Sequence, residues 1–263
     1  MLAVAMTIQT PAPAQAPDPA AEAYFLFLQS RRLEADGNVT EAIASLRRAL
    51  SLMPKAAEIQ AELAGVYARE GRAAESVAAA EAALVMEPKN REAHRILAFV
   101  KAAVASDPSY ASTAGTMTAE AIRHIEQVLS DSFVDLSAEL LLARLYAQTG
   151  QHEKALTTIK KFLSEQPGFP EALLILAESA ERLDKWEDAA GAWSEVVEMG
   201  SRGRTYRGRH ATALVKLGDQ YFQLKKYKEA ADAFDRALAG DRSVFDPADV
   251  QRKRDRAREL AGK

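Results

Sequence analysis

The chain has 263 residues, enough for one large domain or two ordinary ones. Its net charge of −3 excludes a global electrostatic field that would draw it to nucleic acid or to an anionic membrane. The sequence has no run of 18 apolar residues, so no membrane-spanning helix is predicted. There is no cysteine, so disulfides, cysteine-ligated zinc and thiol catalysis are excluded, and the many alanines favour helix.

The first element, residues 1–21, is a leader rich in proline and alanine that we do not assign to the fold. Two interpretations stay open. Ala14-Gln15-Ala16 resembles a small-x-small cleavage site, which indicates the remnant of an export signal on a periplasmic or exported protein. The basic n-region and long apolar core of a secretory signal are missing, which favours a disordered leader on a cytoplasmic protein.

A pattern of small residues recurs along the rest of the chain. In its clearest copy, Gly218 is followed twelve positions later by Ala230 and seven positions after that by Ala237. Five further copies begin at Ser30, Ala64, Ala98, Ala143 and Ala177, although the copy at Ala98 is split and continues at Ala121 and Val128. The first three of these begin 34 residues apart, and so do the last two. The pattern therefore predicts an internal repeat.

The spacing within each copy indicates a pair of helices. Offsets of three, four and seven residues place side chains on one helix face. A polar break separates the two halves, and in three copies it contains a glycine, which suits the left-handed residue that ends a helix: Gly37, Gly71 and Gly150. We predict that the small residues let the two backbones approach closely, while large ones such as Phe234 fill the grooves.

This 34-residue helix-turn-helix unit resembles the tetratricopeptide repeat family over roughly residues 23–242. The resemblance implies an all-α, right-handed α-solenoid of about six helix-turn-helix repeats with a concave inner surface. The array is predicted to span residues 22–242, with repeats near 23–56, 57–90, 91–135, 136–169, 170–210 and 211–242.

Two insertions and a terminal segment depart from the repeat. Extra residues near 107–117 predict a surface loop, and others near 201–208 precede the sixth repeat. Residues 243–263 are predicted to form a C-terminal capping helix, because Asp246 and Pro247 suit the N-cap and first helical positions. Such an end piece covers the last apolar surface of a repeat array.

No arrangement of residues predicts catalysis. The stretch from His152 to Leu156 begins like a zinc-protease motif, but leucine stands where the second ligand belongs. The basic stretch 252–258 is interrupted by Asp255 and followed by Glu259, and it has no aromatic residue, which favours an ordinary solvated helix face over a nucleic-acid site. We therefore expect no enzyme activity, no catalytic residue, no cofactor and no metal site.

In the family, ligands usually lie along the inner surface made by the first helix of each repeat. Carrying that position over gives a candidate groove of aromatic, basic and acidic residues. They are Tyr24, Phe27, Arg31, Arg69, Arg95, Phe99, Arg144, Gln148, Glu178, Arg182, Asp219 and Phe222. Such a surface suits an extended peptide or a helix, with aromatic anchors and arginines that pair with carboxylates.

The resulting hypothesis is a non-catalytic protein–protein interaction scaffold that binds a peptide or protein along the concave face. The alternative is a regulatory or recruiting subunit for an enzyme or assembly machinery on another chain. No nucleic-acid partner is expected, and a monomer is the default. The partner, the process and the compartment stay open, because repeats of this kind bind through whichever side chains they display.

Overall fold

The computed structural model describes residues 18–130, 134–202, 207–240 and 242–262. These residues form thirteen α-helices and short 3₁₀ turns, with no strand among them, so the predicted all-α class is confirmed. The chain divides into two compact units, one up to Val100 and one from Lys101 onward. None of the described helices is long and apolar enough to cross a membrane.

The first unit contains four helices and most of a fifth. They are α1 (Pro19–Ala35), α2 (Val39–Leu52), α3 (Ala57–Arg69), α4 (Ala73–Met86) and α5 (Arg91–Ala105). Within this unit α1 packs on α2, and α3 packs on both α2 and α4. Consecutive helices from α1 to α4 are therefore neighbours, as expected for helix pairs joined by short turns.

The second unit contains the end of α5 and eight more helices. They are α6 (Ala114–Val128), α7 (Leu136–Gln148), α8 (His152–Glu165), α9 (Pro170–Arg182), α10 (Trp186–Arg202), α11 (Arg207–Gln223), α12 (Tyr227–Ala239) and α13 (Pro247–Ala261). Each helix from α6 to α13 packs on the next one, and α7 also touches α9. The unit is thus a run of helix pairs that ends in the predicted capping helix α13.

The small positions of the repeat form the contacts between paired helices. Ala42, Ala64, Ala155 and Ala230 are all 0% exposed. At one of these contacts the Ser76 hydroxyl donates a hydrogen bond of 2.9 Å to the carbonyl of Ala64. The predicted packing role of the small residues is therefore confirmed.

Among the described glycines, the closest packing is at Gly218, between α11 and α12. A Cβ atom added to Gly218 would stand 2.5 Å from Cε1 of Phe234, a side chain that is itself fully buried. Only glycine leaves room for the ring at this position. The small residue and the large one sixteen positions later are thus two halves of one contact.

The turns inside the helix pairs use left-handed backbone, as predicted from their glycines. Gly37, Gly71 and Gly150 have φ angles of +81°, +70° and +74°. In the last two pairs of the second unit, non-glycine residues take the same role: Asp184 has φ of +54° and Lys225 has φ of +58°. The turn geometry is kept there in spite of the steric cost of a Cβ atom.

The helix bounds differ from the sequence prediction at three places. α1 begins at Pro19, four residues before the predicted start near residue 23, because Asp18 Oδ1 accepts a hydrogen bond of 3.0 Å from the amide of Ala20 and caps the helix. The insertion near 107–117 is wrongly predicted as loop throughout, since a 3₁₀ turn and then α6 begin within it. The ends of α10 and α11 extend into the insertion near 201–208. The predicted leader up to residue 17 lies outside the described residues.

Candidate partner-binding site

Six candidate residues lie in the first unit, on α1, α3 and α5. We call this set the first-unit face: Tyr24, Phe27, Arg31, Arg69, Arg95 and Phe99. Its aromatic side chains are only partly available. Tyr24 is 65% exposed, but the guanidinium of Arg31 lies 4.9 Å from the centroid of the Phe27 ring, and that of Arg95 lies 5.0 Å from the Phe99 centroid. The arginines thus cover the rings through cation–π contacts.

The arginines of the first-unit face are paired with acids. Arg31 Nη2 lies 2.9 Å from Glu62 Oε2. Arg69 donates two hydrogen bonds to Glu34, of 2.5 and 2.9 Å, and it also lies 3.6 Å from Glu62. The bond to Glu34 raises the pKa of Arg69. These contacts link α1 to α3 and leave these guanidinium groups already engaged.

The other six candidates lie in the second unit, and they come together. They line a cleft of about 1310 Å³ that is contained within this unit. The residues are Arg144 and Gln148 from α7, Glu178 and Arg182 from α9, and Asp219 and Phe222 from α11. The first helices of three successive pairs therefore contribute to one concave site. Its volume is somewhat larger than that of a typical small-molecule cleft, which is about 300–1,000 Å³.

A hydrogen-bond network lies at the floor of the cleft. The carboxylate of Glu181 accepts three hydrogen bonds: from Trp193 Nε1 at 2.8 Å, from Gln220 Nε2 at 2.9 Å and from Lys216 Nζ at 3.0 Å. Trp193 is nearly buried and also lines the cleft. The network joins α9, α10 and α11, so it makes the floor rigid.

Three buried polar atoms in cleft-lining residues have no hydrogen-bond partner within the described ranges: His152 Nδ1, Ser179 Oγ and Gln220 Oε1. Because a carboxylate only accepts, Glu181 orients the Gln220 amide nitrogen toward itself and leaves the amide oxygen unpaired. Burying such an atom without a partner costs about 1–3 kcal/mol. Sequence reasoning did not single out Ser179, Gln220 or Glu181, because their spacing is that of ordinary helix positions.

The capping helix α13 also contributes to the cleft, through Arg252, Lys253 and Arg256. The prediction of an ordinary solvated face for this basic stretch is wrong for Lys253, whose Nζ lies 2.9 Å from Asp219 Oδ1. Burial raises the pKa of the Asp219 carboxyl, although Lys253 opposes the shift. Burial by itself lowers the pKa of Lys253, but Asp219 and Asp249 outweigh it and raise the pKa overall.

Packing and charge together fix the rotation of α13 about its axis. Val250 and Ala257, seven residues apart, are buried in one cluster with Phe234 of α12. Beside this apolar face, Arg258 Nη2 lies 2.6 Å from Asp235 of α12. Asp246 caps the helix, as predicted, because its Oδ1 accepts a hydrogen bond of 2.9 Å from the amide of Ala248. Helix α13 is therefore a docked wall of the cleft.

Within the part of the chain that the structure describes, no group of three or more histidine, aspartate or glutamate side chains is placed to hold a metal ion. His152 lines the cleft and is the first residue of α8.

Sequence-family models match three stretches of the chain. Two models described as tetratricopeptide repeat match residues 33–99 and 176–244. A third, described as anaphase-promoting complex, cyclosome, subunit 3, matches residues 115–196. No curated protein is significantly similar in sequence.

Several solved structures share the fold at low sequence identity. YrrB, described as a TPR protein with an unusual peptide-binding site, is 16% identical with a TM-score of 0.59, over 83% of this chain and 98% of that one. MamA is 18% identical with a TM-score of 0.57, over 70% and 95%. A tetratricopeptide repeat protein from Parabacteroides merdae ATCC 43184 is 15% identical with a TM-score of 0.55, over 92% and 100%.

Proposed function

Because the chain belongs to the tetratricopeptide repeat family, we propose that it is a non-catalytic scaffold that binds a polypeptide segment in the cleft of its second unit. The fold supports a protein-interaction role in general. The choice of this cleft is carried by one observation. Six side chains, selected from three repeats by their position alone, line a single concavity of about 1310 Å³.

The construction of the cleft supports this proposal. Its floor is held by the hydrogen bonds of Glu181, and its apolar surface comes from rings such as Phe222 and Trp193. A preformed surface loses little conformational freedom when a ligand binds, so more of the contact energy appears as affinity. The peptide-binding site in the description of YrrB belongs to that protein, and it makes a peptide a reasonable first ligand to test here.

The proposal is tested by selecting binders from a random peptide library on the full chain and measuring their affinity by fluorescence anisotropy. The double variant Gln148→Ala/Phe222→Ala removes two cleft-lining side chains from different helices. We expect it to weaken the selected peptides by about tenfold or more, as for the loss of an aromatic anchor.

The matched control is Tyr24→Ala, which removes an exposed aromatic ring from the first-unit face. It is expected to leave the affinity of the same peptides unchanged. Failure to select any peptide would contradict the proposal. So would peptides whose affinity depends on Tyr24 and not on Phe222. Thermal melts followed by circular dichroism verify that each variant is folded.

The alternative of a recruiting subunit receives some support from the family model of a complex subunit, which covers residues 115–196. A scaffold of that kind still needs a surface that binds its partner. The two roles differ in what accompanies the protein. A recruiting subunit co-purifies with an enzyme or assembly factor in fixed stoichiometry, whereas a free scaffold exchanges partners and purifies alone.

A further inference from the structure

We propose that the segment bound in the cleft is acidic, and that the capping helix α13 supplies much of the charge that selects it. This inference rests on the proposed function, because it names the class of polypeptide that the same cleft accepts. We call Arg182, Arg252 and Arg256 the basic wall. The first lies on α9 and the other two on α13, and all three line the cleft.

The cleft has a charge opposite to that of the whole chain. Six of its lining residues are arginine or lysine, and three are glutamate or aspartate. The chain as a whole has a net charge of −3. A concave surface lined by one sign of charge raises the local concentration of oppositely charged ligands and speeds their association.

Pairing inside the cleft consumes part of this charge. Lys216 Nζ lies 3.0 Å from Glu181, and Lys253 Nζ lies 2.9 Å from Asp219. These two pairs hold the floor and the docked helix, and they account for two of the three acids that line the cleft. Glu178 is the remaining acid among the lining residues.

The cations of the basic wall differ from Lys216 and Lys253 in their pairing, because they have weak ion-pair partners or none. Arg252 pairs with Asp249 and Arg256 pairs with Glu259, each three residues away on α13 and largely exposed. Exposed pairs of this kind stabilise a protein little, so they exchange readily for another carboxylate. Among the described residues Arg182 has no ion-pair partner.

The geometry of α13 orients two of these cations toward one ligand. Arg252 and Arg256 are four residues apart, which places them one above the other on the same helix face. The contacts of Lys253 with Asp219 on one flank and of Arg258 with Asp235 on the other prevent the helix from turning. A planar guanidinium held in this way can form two parallel hydrogen bonds with a carboxylate.

The test is peptide selection with three forms of the full chain. The first is the natural protein, and the second is the charge-reversed variant Arg252→Glu/Arg256→Glu. The matched control is Lys228→Glu/Arg236→Glu, which makes the same change of charge on α12, at residues that line a different hollow. Arg236 resembles the wall residues because its partner, Asp232, also lies on its own helix at 4.0 Å.

We expect the natural protein and the control to select peptides rich in aspartate and glutamate. Replacing those acids by asparagine and glutamine should weaken binding by about tenfold or more, and the preference should weaken as salt is added. The charge-reversed variant should lose the preference while its thermal unfolding stays close to that of the control.

The outcomes separate this inference from the function on which it rests. Selection of neutral or basic peptides that still depend on Phe222 would overturn the acidic preference and leave the peptide-binding proposal standing. An acidic preference that survives charge reversal of α13 would overturn the role of the basic wall. Failure to select any peptide would remove the proposed function itself.

Discussion

The first-unit face and the cleft of the second unit are built from equivalent helices, yet they differ in how their charges are paired. In the first unit Arg31 and Arg69 are engaged by glutamates of the neighbouring helix pair, and Arg31 also covers an aromatic ring. In the second unit Arg144 is engaged in the same way by Glu171 of the next helix pair, but the basic wall is held only by exposed partners on its own helix, or has none among the described residues.

This difference shows that the repeat code and the ligand site are separate properties of the chain. The small residues at 0% exposure set the spacing of the helices in both units. What the exposed faces can bind depends on whether their arginines already pair with carboxylates of the same chain. A guanidinium that already has two hydrogen bonds to carboxylates gains little from a third. The same backbone can thus carry a closed surface and an open one.

The largest effect is expected from comparing one glycine in each unit. Gly218→Ala would place a Cβ atom 2.5 Å from the buried Phe234 ring, whereas Gly65→Ala would meet the flexible end of Arg69 at 3.2 Å and Ile96 Cδ1 at the ordinary contact distance of 3.6 Å. We expect the first change to lower the free energy of unfolding by about 1–3 kcal/mol, as for overpacking of a core. The second should stay within about 1 kcal/mol of the natural protein, because alanine also favours helix.

Urea unfolding followed by circular dichroism measures both values. Gly191→Ala serves as a control inside the second unit, since an added Cβ atom would touch nothing within 4 Å. It should stabilise the protein slightly. Equal losses for Gly218→Ala and Gly191→Ala would mean that the contact with Phe234 does not set the spacing of α11 and α12.

A smaller effect is expected from opening the first-unit face. Glu34→Gln/Glu62→Gln removes the carboxylates that engage Arg31 and Arg69. Introduced into the charge-reversed α13 variant, this change should restore a weak preference for acidic peptides. It should also lower the free energy of unfolding by about 0.2–1 kcal/mol for each exposed ion pair lost. Fluorescence anisotropy with an acidic peptide and its glutamine counterpart measures the gain.

If the two peptides continue to bind alike after this change, pairing of the arginines is not what closes the first-unit face. Glu41→Gln/Glu58→Gln is a suitable control, because it removes the same charge from exposed positions of α2 and α3. It should leave the peptide preference of the charge-reversed variant unchanged.

The smallest effect concerns the turns. The described turns inside the helix pairs of the first unit have glycine in the left-handed position, whereas two turns of the second unit have Asp184 and Lys225. Asp184→Gly should stabilise the protein by up to about 1 kcal/mol. In left-handed backbone the Cβ atom lies too close to the following carbonyl oxygen, and glycine has no Cβ atom. Gly71→Asp should give a loss of similar size. Thermal unfolding midpoints test both, and a loss of stability for Asp184→Gly would show that its side chain compensates for the strain.

Much of the fold follows from the sequence because the packing residues recur at fixed offsets. Ala155 and Ala230 are fully buried where the repeat pattern places them, and Asp246 caps α13 as its sequence context indicates. Half of the candidate site also follows from position alone, since the side chains taken from α7, α9 and α11 converge on one cleft. Local periodicity is enough to assign these features.

The remainder depends on contacts between distant parts of the chain. Arg182 and Arg252 lie seventy positions apart in the sequence, and only the docking of α13 brings them to the same cleft. The pairing of Arg69 with Glu34 is equally invisible in the sequence, because every exposed helix face carries both signs of charge. Burial can be predicted from a pattern, whereas the choice of ion-pair partner requires the packed structure.

The docking of α13 against Asp219 and Asp235 also limits how this array can change in length. A repeat added between α12 and α13 would separate α13 from Asp219 and Asp235 and move Arg252 and Arg256 one helix pair away from Arg182. Growth at that junction would therefore divide the binding surface. Insertion of a further helix pair is expected to leave the cleft intact only upstream of α7, because the lining residues come from α7 through α13.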